Sequence, residues 1–571
     1  MNKLKYIFLM AFSAIIILSS CKRDEKFFSL ERPPQNPWNN LNDINQSVLE
    51  TYRHFMGSEW DGPAGFFMKD FLYYSDLMTM APTYAGGNQY NRTLSNDLGE
   101  LNAPLQHLYQ AVNAVNGPLG YLDKVEKSGV IPFGLTEKNY RATANQYKGE
   151  LYFLRGLAYW YMVRWFCPPF NPTGTNDSRK IVLKTVFSQN LDSLRNGYLA
   201  TAKEIYKQIE SDWEMSRQLL PKTTPQSLGR MNRYNVFGYF SRYYFLTGNW
   251  PKAQAMCDSI LNPGGSTSTP YPLQAEPMDA FNKSGMIAPA SEVIWELEAN
   301  ANSLSGCKLV SYFSLSHYNC SLGGRGSGYS YGWAQALLTK AAVAKMGWMT
   351  DPVNGNYAET QLARDDKRYA SMSVINASTL LTSPTSPAAQ RGYWRRLEAY
   401  KAIPGGSPSD TAIIYKNKYP LTLPTLNYPT IWVDKYYRAT NPTGATPRWT
   451  NKVMLRSAEI YLTRAILRLR AGDKDGAVAD VNVVRARARL GTTMDPLDPS
   501  QLSVSQIEDA IERERIIELS DENGDRVWYL ISLRKSIEAG DRPAASLVNP
   551  PYNELFWPLP LGETQYNLGL Q

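Results

Sequence analysis

The sequence predicts a mostly α-helical protein built of helical hairpins, interrupted by a loop-rich, short-strand insertion. Three observations predict it. Apolar residues recur three and four apart near both ends of the chain. A helix, glycine turn and helix pattern occurs twice. Between the two copies, residues 262–450 are broken by Gly, Pro, Ser and Thr clusters such as Gly323-Gly324-Arg325-Gly326-Ser327-Gly328. Over 146–166, Leu151, Leu154, Ala158, Tyr161 and Met162 share one helical face before Pro168-Pro169 stops the helix. A second helix is expected over 202–220, with Ile205, Ile209, Trp213 and Leu220 inward. Helices at 236–247 and 253–261 turn at Gly248-Asn249. Periodicity returns at Val453, where Leu455, Ala458, Leu462, Ala465 and Leu469 line one face, and a further helix is expected over 476–490. Phe245 to Ala255 aligns with Leu469 to Ala479, which sets Gly248 and Ala253 opposite Gly472 and Ala477. A glycine turn followed by a small residue where the second helix packs close is the mechanics of a tetratricopeptide hairpin.

The first twenty residues read as an address. Lys3 and Lys5 precede an apolar run from Tyr6 to Leu18, which is too short to span a bilayer and fits a signal peptide. The run closes as Leu18-Ser19-Ser20-Cys21, which resembles a bacterial lipobox with Cys21 as the lipidated residue. Several acyl chains, at roughly 0.8 kcal/mol per buried CH2, would hold such a protein on a membrane without spanning it. Lys22-Arg23-Asp24-Glu25-Lys26 resembles the signal that exports lipoproteins of Bacteroidetes-type bacteria to the cell surface. The expected organisation is a signal peptide (1–20), a tether (21–40) and one domain (41–571). That domain comprises N-terminal hairpins (41–261), the loop-rich region (262–450) and a C-terminal hairpin with its following motifs (451–571).

Composition excludes several functions. Lys and Arg number 60 against 52 Asp and Glu over 571 residues, a net +8 that is far too sparse to neutralise a nucleic-acid backbone. The only histidines are His54, His107 and His317, and with Cys307 and Cys320 they make no metal-ligand set, so no metal is expected. No phosphate-binding loop or nucleophile elbow occurs, and no cofactor is expected. Asp365-Asp366 and Glu512 with Glu514 are carboxylate pairs of the kind any long chain contains, so no catalytic residue is assigned and the protein is not read as an enzyme. Cys307 and Cys320 bracket a Gly/Ser/Tyr-rich stretch where either a disulfide or two free thiols fits. The 14 Trp, 37 Tyr and 19 Phe suit packed helix interfaces and ligand platforms equally.

Several segments, in order, resemble the SusD/RagB family of outer-membrane lipoproteins. They are Leu151 to Tyr161, Ile205 to Asp212 with Leu220-Pro221, Gly229-Arg230 through Ala253, and Glu292 to Glu296. Further on come Leu455 to Ala465 with Val481 to Ala488, Glu514 to Leu530, and Trp557 to Pro560 with Glu563 and Asn567. The chain departs from the family's pattern at Lys367, Asn523, Tyr529 and Leu568. The resemblance implies a SusD-like α-α superhelix. It also implies capture of oligosaccharide or polysaccharide and its delivery to a SusC-like TonB-dependent transporter in the outer membrane. A peptide-binding, RagB-like member is the alternative, and a surface enzyme of glycan breakdown or a transporter lid are further ones. Arg515, Glu518, Glu522 and Arg526 read as a scaffold network at a helix end, with Trp528 and Leu530 beneath it.

Sugars present apolar C–H faces ringed by hydroxyls, so a capture site needs outward aromatic rings flanked by hydrogen-bonding side chains. Two stretches fit. Residues 58–92 contain Trp60, Asp61, Tyr84, Asn88 and Tyr90, and residues 312–333 contain Arg325, Tyr329, Tyr331 and Trp333. These nine are the expected ligand contacts.

Overall fold

Thr136 opens the longest helix among the described residues by accepting a hydrogen bond from the backbone N–H of Asn139, so the helix begins at Glu137, ahead of the expected 146. The computed structural model describes residues 38–56, 74–80, 88–93, 102–187, 197–223, 229–281, 291–298, 336–350, 358–377, 395–402, 411–417, 429–433, 435, 451–520, 522–553 and 555–561. In chain order these form α1 (Leu41–Met56), β1 (Met78–Met80), α2 (Asn102–Ser128), α3 (Glu137–Phe166), β2 (Arg179–Leu183) and β3 (Tyr198–Thr201). Next come α4 (Ala202–Leu219), α5 (Arg233–Thr247), α6 (Trp250–Leu261), β4 (Val293–Leu297), β5 (Ala336–Leu338) and α7 (Lys340–Met346). The insertion continues through β6 (Met349–Thr350), β7 (Ala358–Glu359), α8 (Gln361–Asp365), α9 (Lys367–Met372), β8 (Ser373–Ala377), β9 (Arg395–Ala402), β10 (Thr411–Asn417) and β11 (Pro429–Val433). The chain closes with β12 (Lys452–Arg456), α10 (Ser457–Arg470), α11 (Lys474–Ala488), α12 (Val504–Leu519) and α13 (Asp525–Ser532). The described strands pair only in antiparallel twos. A mostly helical protein with a short-strand insertion is the expected class.

The aromatic excess is spent largely inward. From Leu151 to Phe166 every residue of α3 except Tyr152 is buried, so this stretch is a core helix and not a surface one. Trp213 of α4 sits at the centre, with ring centroids 5.8 Å from Phe153, 5.7 Å from Trp160, 5.6 Å from Tyr239 and 5.8 Å from Phe240. Its indole N–H donates to the Phe153 carbonyl at 3.2 Å. Gly156 lets α3 and α4 approach, because a Cβ there would lie 2.5 Å from Trp213 Nε1.

The two repeats have the expected mechanics. Gly248 and Gly472 end α5 and α10 at φ +82° and +87°, a left-handed conformation that suits glycine. Asn249 and Asp473 cap the following helices, and Ala253 and Ala477 are fully buried where those helices pack. Arg464 of α10 joins the hairpins, binding Asp480 of α11 at 2.7 Å and Asp258 of α6 at 2.9 Å. One expectation fails locally. Helix does not begin at Val453, because Lys452–Arg456 is a strand paired with β4 (Val453↔Glu296, Arg456↔Val293) and buried at every position. A short apolar run buried on both sides carries no period to separate strand from helix.

That strand ends in the densest electrostatic feature among the described residues. Buried Arg456 donates to Glu292 at 2.9 Å, Glu518 at 2.6 Å and Glu522 at 2.8 Å. Buried Arg368 binds Asp366 at 2.8 Å, Glu514 at 2.5 Å and Glu518 at 2.9 Å. Lys435 reaches Glu522 at 2.6 Å, Arg487 reaches Glu292 at 2.5 Å as well as Glu518, and Arg485 approaches Glu514 at 3.5 Å.

Two changes test these contacts by chemical denaturation. Gly156→Ala should cost about 1–3 kcal/mol by overpacking against Trp213. Arg456→Ala should cost more, about 3–5 kcal/mol, because it strands buried carboxylates. A wild-type midpoint in Arg456→Ala would show that the cluster stabilises nothing.

Candidate functional site

Cys21, Trp60, Asp61, Tyr84, Cys307, Cys320, Arg325, Tyr329, Tyr331 and Trp333 lie outside the described residues, and so does His317. What the structure describes is the frame from which both candidate loops spring. β1 lies inside the first stretch and β5 directly follows the second, and the two pair in register: Met78↔Leu338, Thr79↔Leu337, Met80↔Ala336. Because the strands are antiparallel, the chain leaving Met80 and the chain arriving at Ala336 share one end of this ladder. Met80, inside the first stretch, and Ala336, just after the second, are therefore paired neighbours.

The first loop closes at its base. After residues 81–87 the chain forms a single helical turn, Asn88–Asn91, which carries two of the expected contacts. Tyr90 there is half-buried, and its hydroxyl hydrogen-bonds Thr79 Oγ1 at 3.1 Å, back onto β1. One ring face is taken, with the Arg542 guanidinium 4.1 Å from its centroid. Arg542 also donates to the Tyr90 carbonyl, and to Ser75 O at 3.0 Å. Arg92 donates to the carbonyls of Tyr74, Glu538 and Ser546. Burial, then the neighbouring Arg542 charge, pulls the Arg92 guanidinium down to about 10.

The ladder is pinned by charge. Asp76, fully buried two residues before β1, binds Arg526 of α13 through both oxygens at 2.8 Å and Lys345 of α7 at 2.9 Å. Burial pushes its carboxyl up, but Arg526 and Lys345 outweigh it and hold the group well below the usual carboxylate range. Thr339 caps α7 by accepting from the Ala342 N–H at 3.0 Å, and its hydroxyl donates to the Asp76 carbonyl at 2.7 Å. Gly540, at φ +66°, closes over the same carbonyl, since a Cβ there would stand 2.9 Å from it. Sequence reading placed Arg526 in the scaffold but missed Asp76, Arg92 and Arg542. No local pattern marks a partner 450 residues away.

Other expectations can be placed. Glu518 and Glu522 join Arg456, whereas Arg515 binds Asp525 at 2.5 Å and Arg526 serves Asp76. Leu530 is buried, and Trp528 instead stacks 3.9 Å from Arg164. A narrow cleft is lined by Trp160, Arg164, Trp528 and the Arg242–Glu459 and Arg515–Asp525 pairs. Its two ion pairs are closed within the scaffold. Cys167 and Cys257 are buried free thiols that burial pushes up to about 12, too high for ready thiolate chemistry.

A helical-hairpin scaffold carrying one clamped two-stranded ladder defines the structural class, and comparison with known proteins gives its family. A family model described as "Starch-binding associating with outer membrane" matches residues 71–245, and one described as "SusD family" matches residues 291–531. Between them they take in well over half of the chain, and the protein belongs to the SusD family. No functionally curated protein matches. Among solved structures, a SusD superfamily protein from Bacteroides thetaiotaomicron is similar with a TM-score of 0.63 at 18% identity, covering 93% of this chain and 99% of its own. A putative sugar binding protein from Bacteroides vulgatus gives 0.62 at 19% identity, over 93% and 97%. Surface glycan-binding protein A from Bacteroides thetaiotaomicron, in complex with laminarihexaose, gives 0.61 at 17% identity, over 93% and 98%.

Asp76 makes the clamp sensitive to acid. A carboxylate depressed in the fold contributes stability that is fully present above its ordinary value near 3.8 and is lost as pH falls through its lower folded value. The urea midpoint should drop from about pH 5 to about pH 3, with Asp76→Asn flattening part of that drop. Amide exchange at 78–80 and 336–338 should speed up in Asp76→Asn even at neutral pH. Unchanged exchange there would separate the clamp from the ladder.

Proposed function

We propose that the protein is a lipid-anchored surface receptor that binds oligosaccharide with its two ladder-rooted loops and passes it to a TonB-dependent outer-membrane transporter of the SusC type. The observation that carries this reading is the Met78–Met80 pairing with Ala336–Leu338, which joins a chain segment inside one aromatic-rich stretch to the segment that follows the other. A sugar ring needs a convergence of flat faces and hydrogen-bonding groups. Membership of the SusD family supports the role, as does the glycan-bound relative of the same fold. The outer-membrane location is supported by the family description and by the lipobox-like Leu18-Ser19-Ser20-Cys21. Among the described residues no helix is long and apolar enough to cross a membrane, which agrees with an anchor. Trp60, Asp61, Tyr84, Asn88, Tyr90, Arg325, Tyr329, Tyr331 and Trp333 are the proposed contacts, with Tyr90 offering one ring face and not two. The role is binding, without catalysis.

Calorimetric titration with polysaccharide-derived oligosaccharides, and with mixed peptides in parallel, tests the reading. Saccharide binding without product formation is expected, and Trp60→Ala with Trp333→Ala should weaken it about tenfold or more. Binding to peptides alone would replace this reading with the RagB-like one, and no binding to either would leave the lid role.

A further inference from the structure

A second surface is built where the described chain begins. Trp38 packs its ring 5.2 Å from Tyr121 of α2, and Tyr121 lies 6.3 Å from Phe133 in the turn that follows that helix. Gly117, one helical turn before Tyr121, lies under both Trp38 and Phe187, since a Cβ there would be 3.8 Å and 3.5 Å from their rings. Next to Phe187, Val186 is 75% exposed, and at the other end of the strip Val130 is 70% exposed. An apolar strip thus runs from Val186 through Phe187, Trp38, Tyr121 and Phe133 to Val130.

Two features make the strip more than scattered surface residues. The turn from Gly129 to Gly134 carries Val130, Ile131, Pro132 and Phe133 at its tip, and it holds Phe133 at φ +64°, a conformation bulky side chains seldom adopt. Its charged surroundings are also sorted. Lys148 takes Asp123 and Glu126, and Arg141 takes Glu137, which leaves Lys124, Lys127 and Lys138 exposed with no ion-pair partner among the described residues. Half-buried Trp and Tyr rings, protruding aliphatic side chains and uncompensated lysines are what a bilayer interface with anionic headgroups attracts.

We infer that this strip rests on the headgroup layer of the membrane that holds the lipid anchor, as a second and weaker point of attachment. The inference rests on the lipid-anchor reading of Cys21. Chain length argues for this occupant. Sixteen residues separate Cys21 from Trp38, and at about 3.3–3.6 Å per residue Trp38 stays within roughly 60 Å of the bilayer surface. Trp38, in the middle of the strip, belongs to the tether itself, so the anchored segment leads directly onto this surface. Once the anchor is inserted, strip contact is intramolecular in effect, and even a weak contact becomes populated at an effective concentration in the millimolar range.

The test uses the full lipoprotein in vesicles of phosphatidylethanolamine and phosphatidylglycerol. An environment-sensitive fluorophore is placed on Val130→Cys or Val186→Cys, with Val483→Cys on α11 as the control and the chain without an added cysteine as background. Probes at 130 and 186 should shift to the blue and be quenched several-fold by lipids brominated near the headgroup, while the probe at 483 stays water-like. Probes at 130 and 186 that match 483 would overturn the inference. So would shielding already present without vesicles, which assigns the strip to the chain's own tether, or shielding only beside a co-purified barrel, which assigns it to a protein interface. Intact mass on the same sample reads acylation. An unacylated chain that does not sediment with vesicles sinks the anchor reading, and the strip is then tested on the same chain held by a histidine tag to nickel-chelating lipid. Water-like probes in that arm overturn the strip by itself.

Discussion

The guanidinium of Arg456, enclosed by Glu292, Glu518 and Glu522, joins three segments that lie far apart in sequence, and the rest of the fold is arranged around that enclosure. Among the described residues the surrounding cluster balances, with Arg368, Lys435, Arg456, Arg485 and Arg487 facing Glu292, Asp366, Glu514, Glu518 and Glu522, five charges of each sign. Burying an ion costs several kcal/mol, and only complete pairing recovers it. The groups respond unequally. Burial lifts the Glu514 carboxyl despite Arg368 and Arg485, whereas at Glu518 the opposing effect of Arg487, Arg456 and Arg368 outweighs burial and holds the group well below its ordinary range. Such a cluster gives little net stability for its size, but any slip of one strand or helix leaves a buried charge alone. It acts as a register lock for β4 on β12 and for α12 against both.

The lock communicates with the candidate site through a single helix. α12 turns Glu514 and Glu518 toward the cluster, while Glu512 on the same helix binds Arg526 at 2.8 Å. Arg526 then grips Asp76, and Asp76 pins the start of β1. A three-pair ladder is marginal in isolation, since two short strands bury little surface. Here its position is inherited from the scaffold through charge-assisted hydrogen bonds.

The hairpins were legible because their signals are local. Gly248, Ala253, Gly472 and Ala477 each do by backbone geometry and size what the alignment of the two repeats predicted. The strand at Lys452–Arg456 was not legible, since five residues buried on both sides look like one turn of a core helix. The charge partners of the family-like motif were half legible. Arg515, Glu518, Glu522 and Arg526 read correctly as scaffold, yet each finds a different partner from the local network expected, because Arg456 and Asp76 arrive from distant segments. Pairings such as Arg526 with Asp76 follow from topology, and no spacing within the chain encodes them.

Aromatic composition shows why the ligand face resisted the same reading. Six tryptophans, Trp160, Trp165, Trp213, Trp295, Trp348 and Trp557, are buried outright, and Trp38, Trp250 and Trp528 pack half-buried on the same core. Nine of the 14 are thereby explained by the interior and its margin. A high count of rings therefore measures the demands of the core in this protein, and it could not by itself point to a binding surface. What singles out Trp60 and Trp333 is that each stands in a Gly-rich stretch leading to a strand of the β1–β5 ladder. Tyr90 shows the limit of that criterion. It follows β1 instead of leading to it, and its hydroxyl is tied to Thr79 and one face to Arg542, so part of its surface is already used in holding the chain beside the ladder. A residue beside the ladder has to stabilise it first, and only the surface left over can serve binding.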